Sequence, residues 1–450
     1  MKATTLMKGR RSIVWIMTAV LTATGFSACH KFDWKDHPHD HSGLPTSFSS
    51  EIIEKWMDLQ IRLMQKGAGV PNHGYSRHYT YSGIAAWESL APGMPQSVQL
   101  KSKWSGLTGL PQYDHRKRYY WPANVNAALA SMNRSFFPNA SNEDKAAIDS
   151  LEDALNNHFR TRADQNTLTR SAQFGKAVAA AVFAWAETDG YKNANNDYTP
   201  PTGPGKWVPS PGSPADTKPL TPYWGNNRPV IRGSINNTAV VAPPAYSTNP
   251  NSTFYKMVKH VYDTKNNATP DQQAMAYFWR DVPGVTSPGH WLSILRQVVD
   301  KTNSSLAKAA FAYALTGAAI NDGLIACFKD KYKYALVRPV TYVRDVMGDT
   351  AWNSLICTPN HPEYPSAHSS LSAAAGEVFQ KIFGHIGPFT DHTYDYLGFA
   401  PRTYATLVKI GEEAGYSRLP AGIHYQQSID AGLWQGRKVA LNISNLCPGL

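Results

Sequence analysis

Residues 304–328, SSLAKAAFAYALTGAAINDGLIACF, are apolar on nearly every side of a helical wheel. A helix of that kind buries its whole surface and needs other helices around it, as in the middle of a bundle. Lys308, Asn321 and Asp322 argue against a membrane span, where such groups are costly. One fully wrapped helix therefore commits the chain to a layered helical protein.

The flanking sequence agrees. SSEIIEKWMDLQIRLMQKG, from Ser49 to Gly67, carries serine caps, apolar residues at helical spacing and a closing glycine. Residues 124–137, 142–160 and 167–188 repeat the pattern, which resumes near Ser252 and runs almost to the end. No strand-rich region and no short-period repeat interrupts it, so the expected class is all-α. Residues 196–247 differ, being dense in Pro and Gly. A flexible linker would not carry Trp207, Tyr223 and Trp224, so an ordered loop over a surface or pocket rim is expected.

The first residues read as a targeting segment: basic MKATTLMKGRRS, apolar IVWIMTAVLTATG, then FSAC. Ser27 and Ala28 directly before Cys29 resemble a bacterial lipobox, although Phe26 is an unusual occupant of its first position. Ordinary cleavage beside a chance cysteine is the alternative. The expected organisation is a signal peptide over 1–28 and a tether over 29–47. An N-terminal helical region over 48–300 and a C-terminal one over 301–450 follow. The protein would be exported and held on the periplasmic or cell-surface side by a lipid on Cys29. His37, His39 and His41 lie in the tether, where Pro38 and the missing period favour a solvated linker over a metal site. Cys327, Cys357 and Cys447 allow one disulfide at most and form no metal motif.

The net charge of +11 comes without a Lys/Arg block or nucleic-acid motif. It reads either as a field favouring anionic ligands or as a basic surface without a ligand role. Three segments favour the first. In KYKYALVRP (331–339), Lys331 and Arg338 are two helical turns apart and would share a face of a continuous helix, which Pro339 would end. In PEYPSAHSS (362–370), Pro365 suits a first helical turn. Its free amides, the Ser366 hydroxyl, the small Ala367 and the His368 imidazole would then meet at a helix start. In SRLPAGIHYQQSIDAG (417–432), Pro420 and Gly422 separate Arg418 from His424. His424 would open a new helix with Ser428 one turn on. Singly these are common surface features; together they suit one tetrahedral oxyanion.

Lys, six residues, Arg-Pro; Pro-Ser-small-His; and Ser-Arg, five residues, His resemble the motifs shared by vanadium-dependent haloperoxidases and type 2 phosphatidic acid phosphatases. The text around the first two is closer to the haloperoxidases. The resemblance covers residues 331–430 and implies two four-helix bundles with vanadate at one end. Carried over, it implies Lys331, Arg338 and Arg418 on the vanadate oxygens, with Ser366 and the Ala367 N–H bonding to them. His424 would be the vanadium ligand and His368 the acid–base residue. Vanadate would act as a Lewis acid, turning hydrogen peroxide and halide into hypohalous acid, with a small organic acceptor possible. Phe328 occupies the position of a family aromatic near the halide. His361 stands where chloroperoxidases carry Phe and bromoperoxidases His. As a selector it favours bromide and iodide; as a rim residue it has no influence.

Two departures matter. Ala367 replaces the family's usual glycine. Ser428 replaces an Asp that would orient the ligand histidine and make it more basic, which implies weaker vanadate binding. Asp430 is two residues too late to stand in. Three functions remain open: a haloperoxidase, a phosphatase with His424 as nucleophile, and a non-catalytic surface lipoprotein that keeps the fold. The missing Asp should harm a nucleophilic histidine more than a ligand, which favours the first.

Overall fold

The computed structural model describes residues 43–447 apart from 68, 215 and 282–284. The signal segment, Cys29 and the three tether histidines lie outside the described residues. Helix α1 (Glu51–Lys66) buries Ile52, Ile53, Trp56, Leu59 and Leu63 along one face. Ser50 stands at its N-cap without a capping hydrogen bond, because its hydroxyl donates to Glu54 Oε1 instead. Helix α2 (Tyr75–Glu88) escaped the sequence reading: all its residues are buried, so no polar face marks a period. Helices α3 (Trp121–Phe136), α4 (Asn142–Phe159) and α5 (Gln165–Ala186) begin where Pro122, Ser141 and Asp164 start or cap them.

The described residues of 196–247 form neither α-helix nor strand, yet Trp207 and Trp224 are buried. Two buried carboxylates pin this loop. Asp322 accepts from Val230 N (2.7 Å), Ile231 N (3.1 Å) and Ser234 Oγ (2.6 Å), and Asp330 accepts from Val240 N (3.0 Å). A charge without a partner would be costly at such depth, so the loop's amides are what make these aspartates tolerable.

Beyond the loop lie α6 (Thr253–Asn266), α7 (Pro270–Phe278) and α8 (Ser287–Lys301), each started by a capping Ser or Thr. Helix α9 (Leu306–Tyr334) takes in the opening run from Leu306, with Ser305 as its N-cap, and extends it by six residues. By length and composition it could cross a membrane, but its most apolar window is wholly buried in protein. It is a core helix. Helices α10 (Pro339–Asp345) and α11 (Ala367–Phe383) follow, then the antiparallel pair β1 (Phe389–Asp391) and β2 (Arg402–Tyr404), with Phe389 opposite Tyr404. Helices α12 (Leu407–Tyr416) and α13 (Gln426–Leu446) complete the chain.

The fold is helical, as expected. Helix α9 packs against α2 on one side and α11 on the other; α3 packs on α5, and α11 also contacts α12 and α13. Glycines let α13 approach α11 at backbone distance: a Cβ on Gly436 would lie 2.1 Å from Ser370 O, and one on Gly432 would lie 2.5 Å from Ser366 O. This approach sets the ends of α11 and α13 beside the C-terminal end of α9. Cys327, Cys357 and Cys447 are all free, so the described residues contain no disulfide.

Candidate active site

The three cationic groups are buried. Lys331 lies in the last turn of α9, and its Nζ donates to Pro362 O and Glu363 O, both at 2.9 Å. Arg338 is not on the same helix, contrary to the sequence expectation. Helix α9 stops at Ala335, which adopts a left-handed φ of 49°, and Pro339 opens α10 rather than ending a helix. The extended link still turns Arg338 inward. Its Nε donates to His361 O (3.0 Å), Nη1 to Ile423 O (3.0 Å) and Nη2 to His361 Nδ1 (3.1 Å). Nη1 also lies 3.4 Å from His424 Nε2. Arg418, just past α12, donates to Ser417 Oγ (3.0 Å).

Among the described residues, none of the three cations forms an ion pair with a carboxylate; their protons go to carbonyls, a hydroxyl and ring nitrogens. Burial lowers Lys331 to about 7 and each arginine to about 10. Positive charge held in that way is electrostatically incomplete without an anion.

The second motif lies at the start of α11. Pro365 precedes the N-cap rather than sitting in the first turn, because Ser366 takes the cap, accepting from Ser369 N at 3.3 Å. Ser366 Oγ also accepts from Ser369 Oγ (2.9 Å), so its own proton remains to be donated. Ala367, the first helical residue, has an N–H with no intrahelical acceptor. His368 follows, its Nε2 lying 3.0 Å from Ser287 Oγ and 3.1 Å from Trp279 O. Ser287 gives its proton to Asp281 Oδ1 (2.7 Å), so both neighbours of Nε2 accept. Nε2 therefore carries the proton and Nδ1 is the basic nitrogen. Burial, then Arg418, lowers His368 to about 4.

In the third motif His424 does not open α13. Tyr425 is the N-cap, and His424 lies just before it. Ser428 Oγ stands 3.5 Å from His424 Nδ1, at the limit of a hydrogen bond. Nδ1 is instead 2.7 Å from Glu363 Oε1, a residue the sequence reading passed over. Its position in the quoted PEYPSAH motif carries no sign of a partner 61 residues away. The ground for expecting weaker vanadate binding is thereby removed: a carboxylate does reach the imidazole, from another segment. Asp430 is exposed and accepts from Gln426. Burial pushes Glu363 up to about 7 against Arg338 and Lys331, and holds His424 well below the usual histidine range.

Phe328, His361, Ala367, His368, Arg418 and His424 all line one cavity of about 740 Å³. Lys331, Arg338 and Ser366 stand behind that lining. The Phe328 and His361 rings are 5.2 Å apart. His73, which the sequence reading also missed, lines the same cavity, with its ring 4.5 Å from Phe328 and Nε2 2.8 Å from Thr221 Oγ1. The loop contributes Ser210, Pro211, Lys218 and Leu220 to the rim. Asp322, by contrast, bonds to that loop through residues 230–234.

Among the described residues no three His, Cys, Asp or Glu side chains are grouped to hold a bare metal ion. The donor set instead suits a metal that brings its own oxygens. Buried cations, a hydroxyl and a helix-start amide can take an oxyanion, and one imidazole nitrogen can take the central atom.

A family model described as the VCPO second helical-bundle domain matches residues 311–447. Vanadium chloroperoxidase of Curvularia inaequalis is 27% identical over 155 residues, a match spanning 28% of this chain and only a quarter of that protein. The structure of a bacterial vanadium-dependent iodoperoxidase superposes with a TM-score of 0.78 at 30% identity, covering 89% of this chain and 96% of that one. A bacterial vanadium-dependent chloroperoxidase shares the fold, with a TM-score of 0.64 at 15% identity, over 88% and 93% of the two chains. Motifs, fold and whole-chain similarity coincide: the chain belongs to the vanadium-dependent haloperoxidase family.

Proposed function

We propose that this protein is a vanadate-dependent peroxidase that oxidises bromide and iodide with hydrogen peroxide to hypohalous acid. One observation carries the reading: three buried cations that have no carboxylate ion pair among the described residues gather at one site, Arg418 lining the cavity beside His424 and Arg338 Nη1 lying 3.4 Å from His424 Nε2. An oxyanion completes that charge balance, and Lys331, Arg338 and Arg418 would hold its oxygens. Ser366 Oγ–H and Ala367 N–H would donate to the same group, and His424 Nε2 would bind the vanadium.

Bound vanadate supplies Lewis-acid activation of hydrogen peroxide toward the halide. His368 Nδ1, with its proton held at Nε2 by Ser287 and Trp279, is poised to take and return a proton. The methyl of Ala367 is accommodated at the cavity wall without removing its amide donor.

Halide preference rests on Phe328 and His361. His361 Nδ1 lies between a donor, Arg338 Nη2 (3.1 Å), and an acceptor, Pro362 O (3.2 Å), which fixes the ring's orientation. An imidazole there offers a polar ring edge to a large polarisable halide where a phenylalanine would not, which supports bromide and iodide over chloride. The 30%-identical solved relative is an iodoperoxidase, which also supports iodide. The cavity leaves room for a small organic acceptor. A lipid anchor on Cys29 and export to the periplasmic or cell-surface side belong to the same proposal, on sequence alone.

The Glu363–His424 pair favours a second reading. A carboxylate-supported imidazole also serves a phosphatase nucleophile, so the missing Asp no longer discriminates between the two activities. Assaying bromide oxidation by hydrogen peroxide with and without orthovanadate, beside phosphate-ester hydrolysis, tests both. Vanadate-dependent bromination supports the peroxidase. Ester hydrolysis inhibited by vanadate, without bromination, would make it a phosphatase, and oxyanion retention without turnover would leave a non-catalytic binder.

A further inference from the structure

We propose that Glu363 is the positioning residue that holds the His424 imidazole as a vanadate ligand, supplying from the second motif the carboxylate that Ser428 does not supply on α13. The proposal rests on the peroxidase reading above. Glu363 is fully buried, and its Oε1 accepts from both His424 Nδ1 (2.7 Å) and Tyr425 N (3.0 Å). One oxygen thus fixes the ring and the backbone that carries it. A carboxylate only accepts, so His424 Nδ1 bears the proton and Nε2 keeps its lone pair for the cavity side, where Arg338 Nη1 lies at 3.4 Å.

Residue 363 also joins the other two motifs. Its carbonyl accepts from Lys331 Nζ (2.9 Å), and its N–H donates to Leu336 O (3.0 Å) in the link between α9 and α10. The ligand histidine and the buried lysine are therefore located by one residue. Its other carboxylate oxygen, Oε2, is buried and has no hydrogen-bond partner among the described residues. Leaving such an oxygen bare is costly, which fits a side chain fixed by its task at His424.

Two measurements test this. In wild-type protein with ¹⁵N-labelled histidine and no vanadate, the His424 resonance, identified by its loss in His424→Ala, should show the Nδ1–H tautomer. The Nε2–H tautomer would overturn the proposal. Calorimetric titration with orthovanadate and with inorganic phosphate then separates positioning from general support. Phosphate senses only the charges of the pocket, whereas vanadate also bonds to Nε2. In Glu363→Gln, vanadate affinity should fall by about 10- to 100-fold, while phosphate affinity stays level or rises as a negative charge is lost.

Glu363→Gln/Ser428→Asp should recover vanadate binding, because position 428 already reaches Nδ1. Equal losses for both anions, no loss for either, or no recovery in the double variant would each overturn the role. Should Glu363→Gln fail to fold, the wild-type tautomer decides. If wild-type protein binds neither anion, the functional reading fails, while the tautomer still reports on Glu363.

Discussion

Arg338 Nη2 lies 3.1 Å from His361 Nδ1, so the cation proposed to hold the oxyanion and the residue proposed to select the halide form one hydrogen-bonded unit. Burial and the charges of Lys331 and Arg338 hold His361 well below the usual histidine range, so it stays neutral. Replacing it tests the halide preference directly. His361→Phe should cut kcat/KM for bromide by about tenfold, the equivalent of one lost hydrogen bond. The chloride-to-bromide ratio should rise. Steady-state rates with each halide at fixed peroxide check this, and an unchanged ratio removes His361 from halide selection.

The unpaired cations make oxyanion binding a stability effect. Phosphate at 100 times its Kd should stabilise wild-type protein by about 2.7 kcal/mol. Lys331→Met removes a buried charge that pairs only with carbonyls. Without an oxyanion the variant should be as stable as wild type or more so. With phosphate it should gain little. Thermal melts across a phosphate series measure both; a full phosphate shift in the variant would exclude Lys331 from the pocket.

What the sequence showed and concealed divides by range. The three motifs were legible because each keeps its chemistry within ten residues, and α9 was legible because its composition allows only burial. The shared face assumed for Lys331 and Arg338 failed at one residue, Ala335, whose left-handed backbone has no sequence mark. Helix α2 was hidden because uniform burial erases periodicity. Glu363 was in view throughout, but its meaning depends on His424, and only the packing of α13 against α11 brings the two together.

That packing supplies a third expectation. A Cβ on Gly436 would meet Ser370 O at 2.1 Å, and backbone cannot give way as a side chain can. Gly436→Ala should cost about 2 kcal/mol or more and weaken oxyanion binding, because α11 carries Ser366 and Ala367. Denaturant unfolding and phosphate titration of the variant test it. Lost stability with unchanged affinity would separate the helix packing from the site.

Acid stability follows from His78, buried in α2 with Nε2 3.1 Å from Phe136 O, and lowered by burial from 6.5 to about 3. His73 is likewise lowered to about 3. Between those values the unfolded chain binds protons that the folded chain does not, so stability should fall as pH drops from 6.5 toward 3 and level off below. His78→Gln should flatten that slope by one proton's worth, whatever its effect at pH 7. Urea midpoints from pH 7 to 4 provide the slopes, and identical slopes would mean His78 does not titrate on unfolding.

The measurement that bears most directly on the proposed activity is bromide oxidation by hydrogen peroxide as a function of orthovanadate, in wild-type protein and His424→Ala. We expect no activity without vanadate, saturable activation with it, and loss of that activation in the variant. Bromide oxidation that is independent of vanadate, or equal in His424→Ala, would contradict a vanadate site built on His424.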